Sequence, residues 1–220
     1  MTPVIVDVLE PVTLVGGGVL AAGDIAAALA LAPRLVAADG GAEAVLAAGL
    51  MPEAVIGDFD SLSDAVRDSL PPERLHQVGE QDSTDFDKAL RSIAAPAVLA
   101  VGFLGARVDH QLAAFNTLVQ GHDSPCVLIG ETEVIFHLTE AVELPTQAGD
   151  VVSLFPMQDV QGRSEGLEWP IDGLSMSPMG RIGTSNRAVG PMRLAPEGAG
   201  LLVIVPRRLL GAVLGQIRRD

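Results

Sequence analysis

Aspartates set the chemistry open to this sequence. Asp39, Asp58 and Asp109 each stand at or just beyond the end of a short apolar run, and Asp82 and Asp85 follow another within a few residues. If those runs are strands of one parallel sheet, their ends share an edge, and the crevice outside the carboxyl ends is where open α/β folds bind ligands. Carboxylates gathered there repel one another and raise one another's pKa unless a cation neutralises them, so the pattern implies a metal.

The motifs around these aspartates sharpen the expectation. GDFDS, residues 57–61, places Asp58 and Asp60 two apart. In an extended chain both point to one side and Phe59 turns towards the core. Two hard oxygen ligands on one side suit Mg²⁺, which takes one or two protein carboxylates and completes its shell with water and phosphate. The competing reading is an Asp-rich turn with Ser61 capping a helix. QDSTDFDK, residues 81–88, offers Ser83 or Thr84 as a helix cap, with Asp87 at capping-box spacing from Thr84. Capping accounts for only part of its acidity and leaves Asp82 or Asp85 redundant. A helix start also attracts phosphate, and Lys88 one turn in can reach a phosphoryl oxygen. ADGGAE, residues 38–43, sets Asp39 before paired glycines, which let a ligand approach backbone N–H groups. GARVDHQL, residues 105–112, combines a turn glycine, the planar fork of Arg107, which matches two phosphate oxygens, and Asp109 at a helix start. The alternative there is a surface Arg107–Asp109 pair. The glycines at 16–18 lack both the dinucleotide-fold spacing and the P-loop GK[ST]. His76, His122 and His137 have no metal-ligand spacing.

The elements that must position these groups follow from periodicity. Apolar runs at 12–16, 34–39, 54–58, 74–78 and 97–102 alternate with helix-compatible segments at 24–32, 42–48, 61–70, 83–93 and 109–120. Such alternation predicts strand–helix units around a mostly parallel sheet. After residue 124 the texture changes to β-like runs punctuated by Gly, Pro and Asp: CVLIG, EVIFHL, VVSLFP, 166–169, 188–194 and LLVIVP. A short helix is expected over 207–220. The fold class is α/β, an N-terminal mostly parallel sheet with flanking helices over 1–123, followed by a C-terminal antiparallel β-sandwich domain over 124–220. In the second half Trp169 is the sole tryptophan and there is no tyrosine. A lone Trp is more often core than platform, and GTSN at 183–186 reads ordinarily as a hairpin turn.

Composition excludes several classes. With 48% hydrophobic residues the chain must fold around a core. Its formal net charge of −14 repels nucleic-acid backbones and anionic lipid surfaces. A polyphosphate remains admissible only if a divalent ion inverts the local sign. Cys126 is the only cysteine, so no internal disulfide or thiolate cluster forms. The uncharged stretch 92–106 is shorter than the about 20 residues a membrane span needs. The first basic residue is Arg34, after Asp7 and Glu10, which is not a signal or transit pattern, and the expected location is cytoplasmic.

In order, ADGG, GDFDS, QDSTDFDKAL and RVDH resemble the signature of the thiamine pyrophosphokinase family, and GLEW and TSN look like its thiamine-site segments. The resemblance spans almost the whole chain. It implies transfer of a pyrophosphoryl group from ATP to the hydroxyethyl oxygen of thiamine, giving thiamine diphosphate and AMP, by a homodimer with active sites between subunits. It assigns Asp58, Asp60 and Asp85 to Mg²⁺. It places Asp39, Asp82, Arg107 and Asp109 about the reacting groups, Gln81, Thr84 and Lys88 on the nucleotide, and Trp169, Ser185 and Asn186 on thiamine. The proton acceptor stays open among Asp60, Asp82 and Asp109. Two positions depart from the family pattern. Gly105 and Ala106 stand where paired glycines are usual, and Ala114 where an Asn is usual, with Asn116 two later.

Three other activities compete. A pyrophosphokinase for another hydroxyalkyl heterocycle, such as a reduced pterin, would share the N-terminal motifs. A non-catalytic nucleotide or thiamine sensor would bind without releasing AMP. A phosphatase with a nucleophilic Asp in a DxDx[TV] motif is disfavoured because Leu62 occupies the last position.

Overall fold

Short strands buried on both faces build the first part of the molecule. The computed structural model describes residues 3–219, which divide into two units. The first comprises residues 3–117, 121–129 and 219. In chain order it holds β1 (Val6–Asp7), β2 (Val12–Val15), α1 (Asp24–Leu29), β3 (Arg34–Ala38), α2 (Gly41–Ala47), β4 (Ala54–Gly57), α3 (Asp64–Ser69), β5 (Leu75–Gln77), α4 (Asp85–Arg91), β6 (Ile93–Ala94), β7 (Val98–Val101), α5 (Val108–Leu118) and β8 (Cys126–Ile129). Every residue of β2, β4, β7 and β8 is buried, as expected of parallel strands covered by helices on both faces. Their order is β8-β7-β2-β3-β4-β5, all parallel, while β1 and β6 form a small separate pair. The chain runs outward from β2 through β5, then returns to lay β7 on the other side of β2. That reversal is the topological switch point at which loops diverge and leave a crevice.

Close backbone packing holds the loops at this edge. The Gly16 and Gly18 amides donate to the carbonyls of Val101 (2.8 Å) and Gly102 (2.7 Å). Gly41 opens α2 so near β2 that a Cβ there would lie 2.1 Å from the Val15 carbonyl oxygen. The glycines of ADGG and GGG thus serve the approach of one loop to the next.

The second unit comprises residues 118–120 and 130–218. It contains β9 (Glu133–Leu138), β10 (Val142–Leu144), β11 (Val151–Pro156), β12 (Gln161–Leu167), β13 (Gly183–Glu197), β14 (Leu201–Pro206), a 3₁₀ turn (Arg207–Leu209) and α6 (Leu210–Ile217). All its strand pairs are antiparallel: β14 lies between β9 and β11, and β11 joins the start of β13. The rest of β13 lies between β10 and β12. Burial alternates along β11, β12 and β13, the period of a sheet with one covered face.

Several expectations need correction. CVLIG, read with the antiparallel half, is β8, which pairs in parallel with β7 and lies in the first unit. An all-apolar run of four suits a doubly covered strand, and proximity to the β-rich half was misleading. Helix α3 is capped by Ser63, whose hydroxyl accepts from the Val66 amide, not by Ser61. GTSN lies within β13 and is no hairpin turn. The terminal helix is shorter than expected, and Asp220 lies outside the described residues. No helix among the described residues is long and apolar enough to cross a membrane.

Overpacking a close backbone contact costs about 1–3 kcal/mol. Gly41→Ala is expected to lower the urea midpoint by an equivalent amount or more, because the obstructing atom is a backbone oxygen. An unchanged midpoint would show that α2 can shift freely.

Candidate active site

Asp39 and Asp58 follow neighbouring parallel strands. Ala38 pairs with Ile56, so Asp39 comes level with Gly57, and its amide donates to the Ile56 carbonyl at 3.0 Å. Asp39 takes a φ of 41°, a left-handed conformation that Asp tolerates better than most residues. Gly57 makes the convergence feasible: a Cβ there would lie 2.8 Å from the Asp39 Cβ and 3.2 Å from Asp85 Oδ1.

The GDFDS segment is a tight turn, not an extended strand. Phe59 has a φ of 69° and lies half-buried under the Arg67 guanidinium, 5.7 Å from its ring centroid, instead of in the core. Asp58 Oδ1 accepts from the Asp60 amide at 3.2 Å. The turn still serves the expected end, since carboxylate oxygens of Asp39, Asp58 and Asp60 all lie within 4.8 Å of one another. Asp39 does not cap α2. Its Oδ2 accepts from the Ser61 amide at 3.1 Å, a contact that sequence reasoning missed and that only the turn explains.

Helix α4 brings the second acidic motif to the same place. The Thr84 hydroxyl accepts from the Asp87 amide at 3.3 Å, as its spacing predicts. Asp85 and Lys88 then lie on one face of the helix, and Lys88 Nζ donates to Asp58 Oδ2 at 2.7 Å and Asp85 Oδ1 at 3.2 Å. Gln81 Nε2 reaches the same Asp58 oxygen at 3.4 Å. Asp87 faces away: it pairs with Arg91 Nε at 3.0 Å and lies 3.4 Å from His122 Nε2. Arg91 in turn holds Glu80 and Ser83, which fastens the loop carrying Gln81 and the exposed Asp82. Sequence reasoning missed this brace, because arginine at i+4 from aspartate is an ordinary helix pair.

Electrostatics divide the carboxylates. Burial, repulsion by Asp85, and lesser repulsion from Asp60 and Asp58 push the Asp39 carboxyl above its ordinary value, against the Ser61 amide. The hydrogen bond from Lys88 holds Asp58 below its ordinary value. Burial pulls the Lys88 ammonium down, but its hydrogen bonds to Asp58 and Asp85 outweigh that and leave it raised.

Arg107 and Asp109 follow β7 and pair with each other, Nε to Oδ1 at 3.1 Å and Nη2 to Oδ2 at 2.5 Å. Both are exposed, so the surface-pair alternative describes them as they stand. Their loop is tied to α4 by Phe103, whose ring centroid lies 4.4 Å from that of Phe86.

In the second unit the GLEW and TSN segments meet. Asn186 Nδ2 donates to the Trp169 carbonyl at 2.7 Å, and Asn186 Oδ1 accepts from the Trp169 amide at 3.2 Å. Ser185 has a φ of 60° and its amide donates to Ser153 Oγ at 2.9 Å. Trp169 is 54% exposed, so the core reading of this tryptophan fails.

Comparison with known proteins bears on both units. A family model described as the catalytic domain of thiamin pyrophosphokinase matches residues 26–129, and one described as its vitamin B1 binding domain matches residues 137–193. The chain is 30% identical over 154 residues to thiamine pyrophosphokinase 1 of Oryza sativa subsp. japonica, covering 61% of this chain and 58% of that protein. The corresponding Arabidopsis thaliana protein is 29% identical, with the same coverage. The chain thus spans less than two thirds of these plant relatives. Among solved structures, thiamin pyrophosphokinase from Candida albicans superposes with a TM-score of 0.75 at 15% identity, over 90% of this chain and 89% of that one. The Bacillus subtilis protein gives 0.70 at 20% identity, over 90% and 98%. At such identities these likenesses show the fold.

Because the folded state binds the Asp39 proton more tightly than the unfolded state, the stability carried by this group falls as pH rises from its ordinary 3.8 through its raised folded value. In EDTA, Asp39→Asn is therefore expected to raise the urea midpoint at neutral pH, with the gain vanishing at acid pH. A lower midpoint at neutral pH would show that the carboxylate is already compensated.

Proposed function

The chain belongs to the thiamine pyrophosphokinase family, and on that premise we propose that it transfers the pyrophosphoryl group of ATP to the hydroxyethyl oxygen of thiamine. The observation that carries this reading is the gathering of Asp39, Asp58, Asp60 and Asp85 at the carboxyl edge of the parallel sheet. The cluster fits a hard dication. Its donors are all carboxylate oxygens, and Asp39 Oδ1 is buried without a hydrogen-bond partner, a costly state unless something else satisfies it. Asp58, Asp60 and Asp85, with Asp39 beside them, would hold Mg²⁺, which when bound supplies neutralisation of the nucleotide's phosphates.

The chain's own residues then have the tasks of binding and alignment. Gln81, Thr84 and Lys88 would contact the phosphates, with Arg107 released from Asp109 to offset charge on the transferred group. The hydroxyl oxygen of thiamine forms a bond to the β-phosphorus as the bond from that phosphorus to the α-phosphate oxygen breaks. The hydroxyl proton passes to a carboxylate, one of Asp60, Asp82 and Asp109, and AMP departs with the electron pair. Trp169 would offer its indole face to the cationic thiazolium, with Ser185 and Asn186 fixing the segment around it.

We assign the nucleotide and metal to the first unit and thiamine to the second. The second unit we read as a β-sandwich, a reading supported by β13, which passes from pairing with β11 to pairing with β10 and β12. A homodimer in the cytoplasm completes the proposal. The exposed Val151, Trp169 and Val189 of the second unit offer apolar surface for a second copy.

Asp58→Asn is expected to cut AMP release from ATP and thiamine by about a hundredfold or more, with an unchanged far-UV spectrum at room temperature. AMP release at the wild-type rate would remove the metal assignment. Trp169→Ala is expected to raise the KM for thiamine about tenfold, a loss in the range of a desolvated cation–π contact, with kcat little changed. Assay of thiamine beside a hydroxymethyl-dihydropterin separates the substrates: turnover of the pterin alone would favour the second heterocycle.

A further inference from the structure

Lys88 is among the most deeply buried side chains of the protein, at 1% exposure, and its ammonium lies between two carboxylates assigned to the metal. We propose that Lys88 is an internal counter-ion: it holds Asp58 and Asp85 together when no metal is bound and competes with a divalent cation for their oxygens. The inference rests on the assignment of Mg²⁺ to this cluster.

Oxygen occupancy carries the argument. Both oxygens of Asp58 are engaged, Oδ1 with the Asp60 amide and Oδ2 with Lys88 and Gln81. Asp85 Oδ1 is engaged by the same ammonium. Asp39 Oδ1 is left buried with no partner. A dication entering here meets one unpartnered buried oxygen and a fixed positive charge within hydrogen-bond distance of two other ligands, and in a partly buried site that repulsion is only weakly screened.

Lys88 has no exit to water at its present position, so it gives up the carboxylates readily only if another anion accepts it. The phosphates of a nucleotide are such an anion. The bare ion should therefore bind weakly, and ion and nucleotide should bind together more tightly than either alone, a coupling built into one side chain.

Mn²⁺ serves as the probe, titrated by calorimetry into the intact chain without nucleotide. Lys88→Met is expected to bind Mn²⁺ at least about tenfold tighter than wild type, and Lys88→Arg, which keeps the charge, about as weakly as wild type. Stability gives a second readout. The urea midpoint of Lys88→Met should rise on replacing EDTA with ~10 mM Mg²⁺, far more than that of wild type. If Lys88→Met is unfolded in EDTA, refolding on addition of Mg²⁺ supports the proposal and failure to refold overturns it. If wild type binds Mn²⁺ through Asp58, as judged by loss in Asp58→Asn, yet Lys88→Met binds it no tighter, the counter-ion role falls and the metal assignment stands. If none of the proteins binds Mn²⁺, both fall.

Discussion

One buried ammonium organises the acidic edge of this molecule. Aspartates gathered at one edge repel one another, and Lys88 offsets two of them, Asp58 and Asp85. Breaking such a buried pair by removing one partner costs about 3–5 kcal/mol, a large part of the stability of a typical domain. For Lys88 to reach Asp58, α4 must pack on the sheet beside β3 and β4. For α4 to start where it does, Thr84 must cap it. The geometry of two motifs 23 residues apart thus depends on a single side chain four positions past a capping residue.

The parallel sheet supplies the common address. Strands β3 and β4 are in register through Ala38 and Ile56, so the residues that follow them emerge side by side. Side-by-side emergence alone would collide, and Gly57 is the residue that yields the space. Loops held by Gly16, Gly18 and Gly102 close the neighbouring stretch of the edge with backbone hydrogen bonds, so they need no side chains of their own. The glycines of these motifs therefore have a packing explanation independent of any ligand, and the ligand argument rests on the carboxylates.

Much of this was legible in the sequence, for identifiable reasons. Runs such as VTLV and AVIG carry no polar residue that a covered strand must expel, apart from Thr13, whose hydroxyl donates to the Ala32 carbonyl at 2.6 Å. In the second half, β-like runs punctuated by Gly, Pro and Asp marked antiparallel strands equally well. The cap at Thr84 was readable from spacing, whereas Asp58 and Asp60 meet through a turn and not through the extended chain their spacing suggested. Positive backbone φ at non-glycine residues was not readable: Asp39, Phe59 and Ser185 all adopt it, and each altered a local expectation. Strand β8 was misplaced because a four-residue apolar run carries no direction. The partner of Lys88 was missed because spacing shows what a helix presents, not which distant turn receives it.

The two cations near the candidate site differ in how readily they can be released. Arg107 and Asp109 are exposed, and an ion pair in water contributes little beyond what solvation would return. An incoming phosphate can therefore draw Arg107 away at small cost. Lys88 is buried, and withdrawing it leaves Asp58 and Asp85 unbalanced, so its release must be matched by another cation arriving at the same oxygens. On the proposed reading, Arg107 can engage phosphate early and independently, whereas Lys88 can do so only together with the metal. Burial, more than residue type, separates their roles, and it follows from where the sequence puts each cation: one in a loop after β7, the other on the covered face of α4.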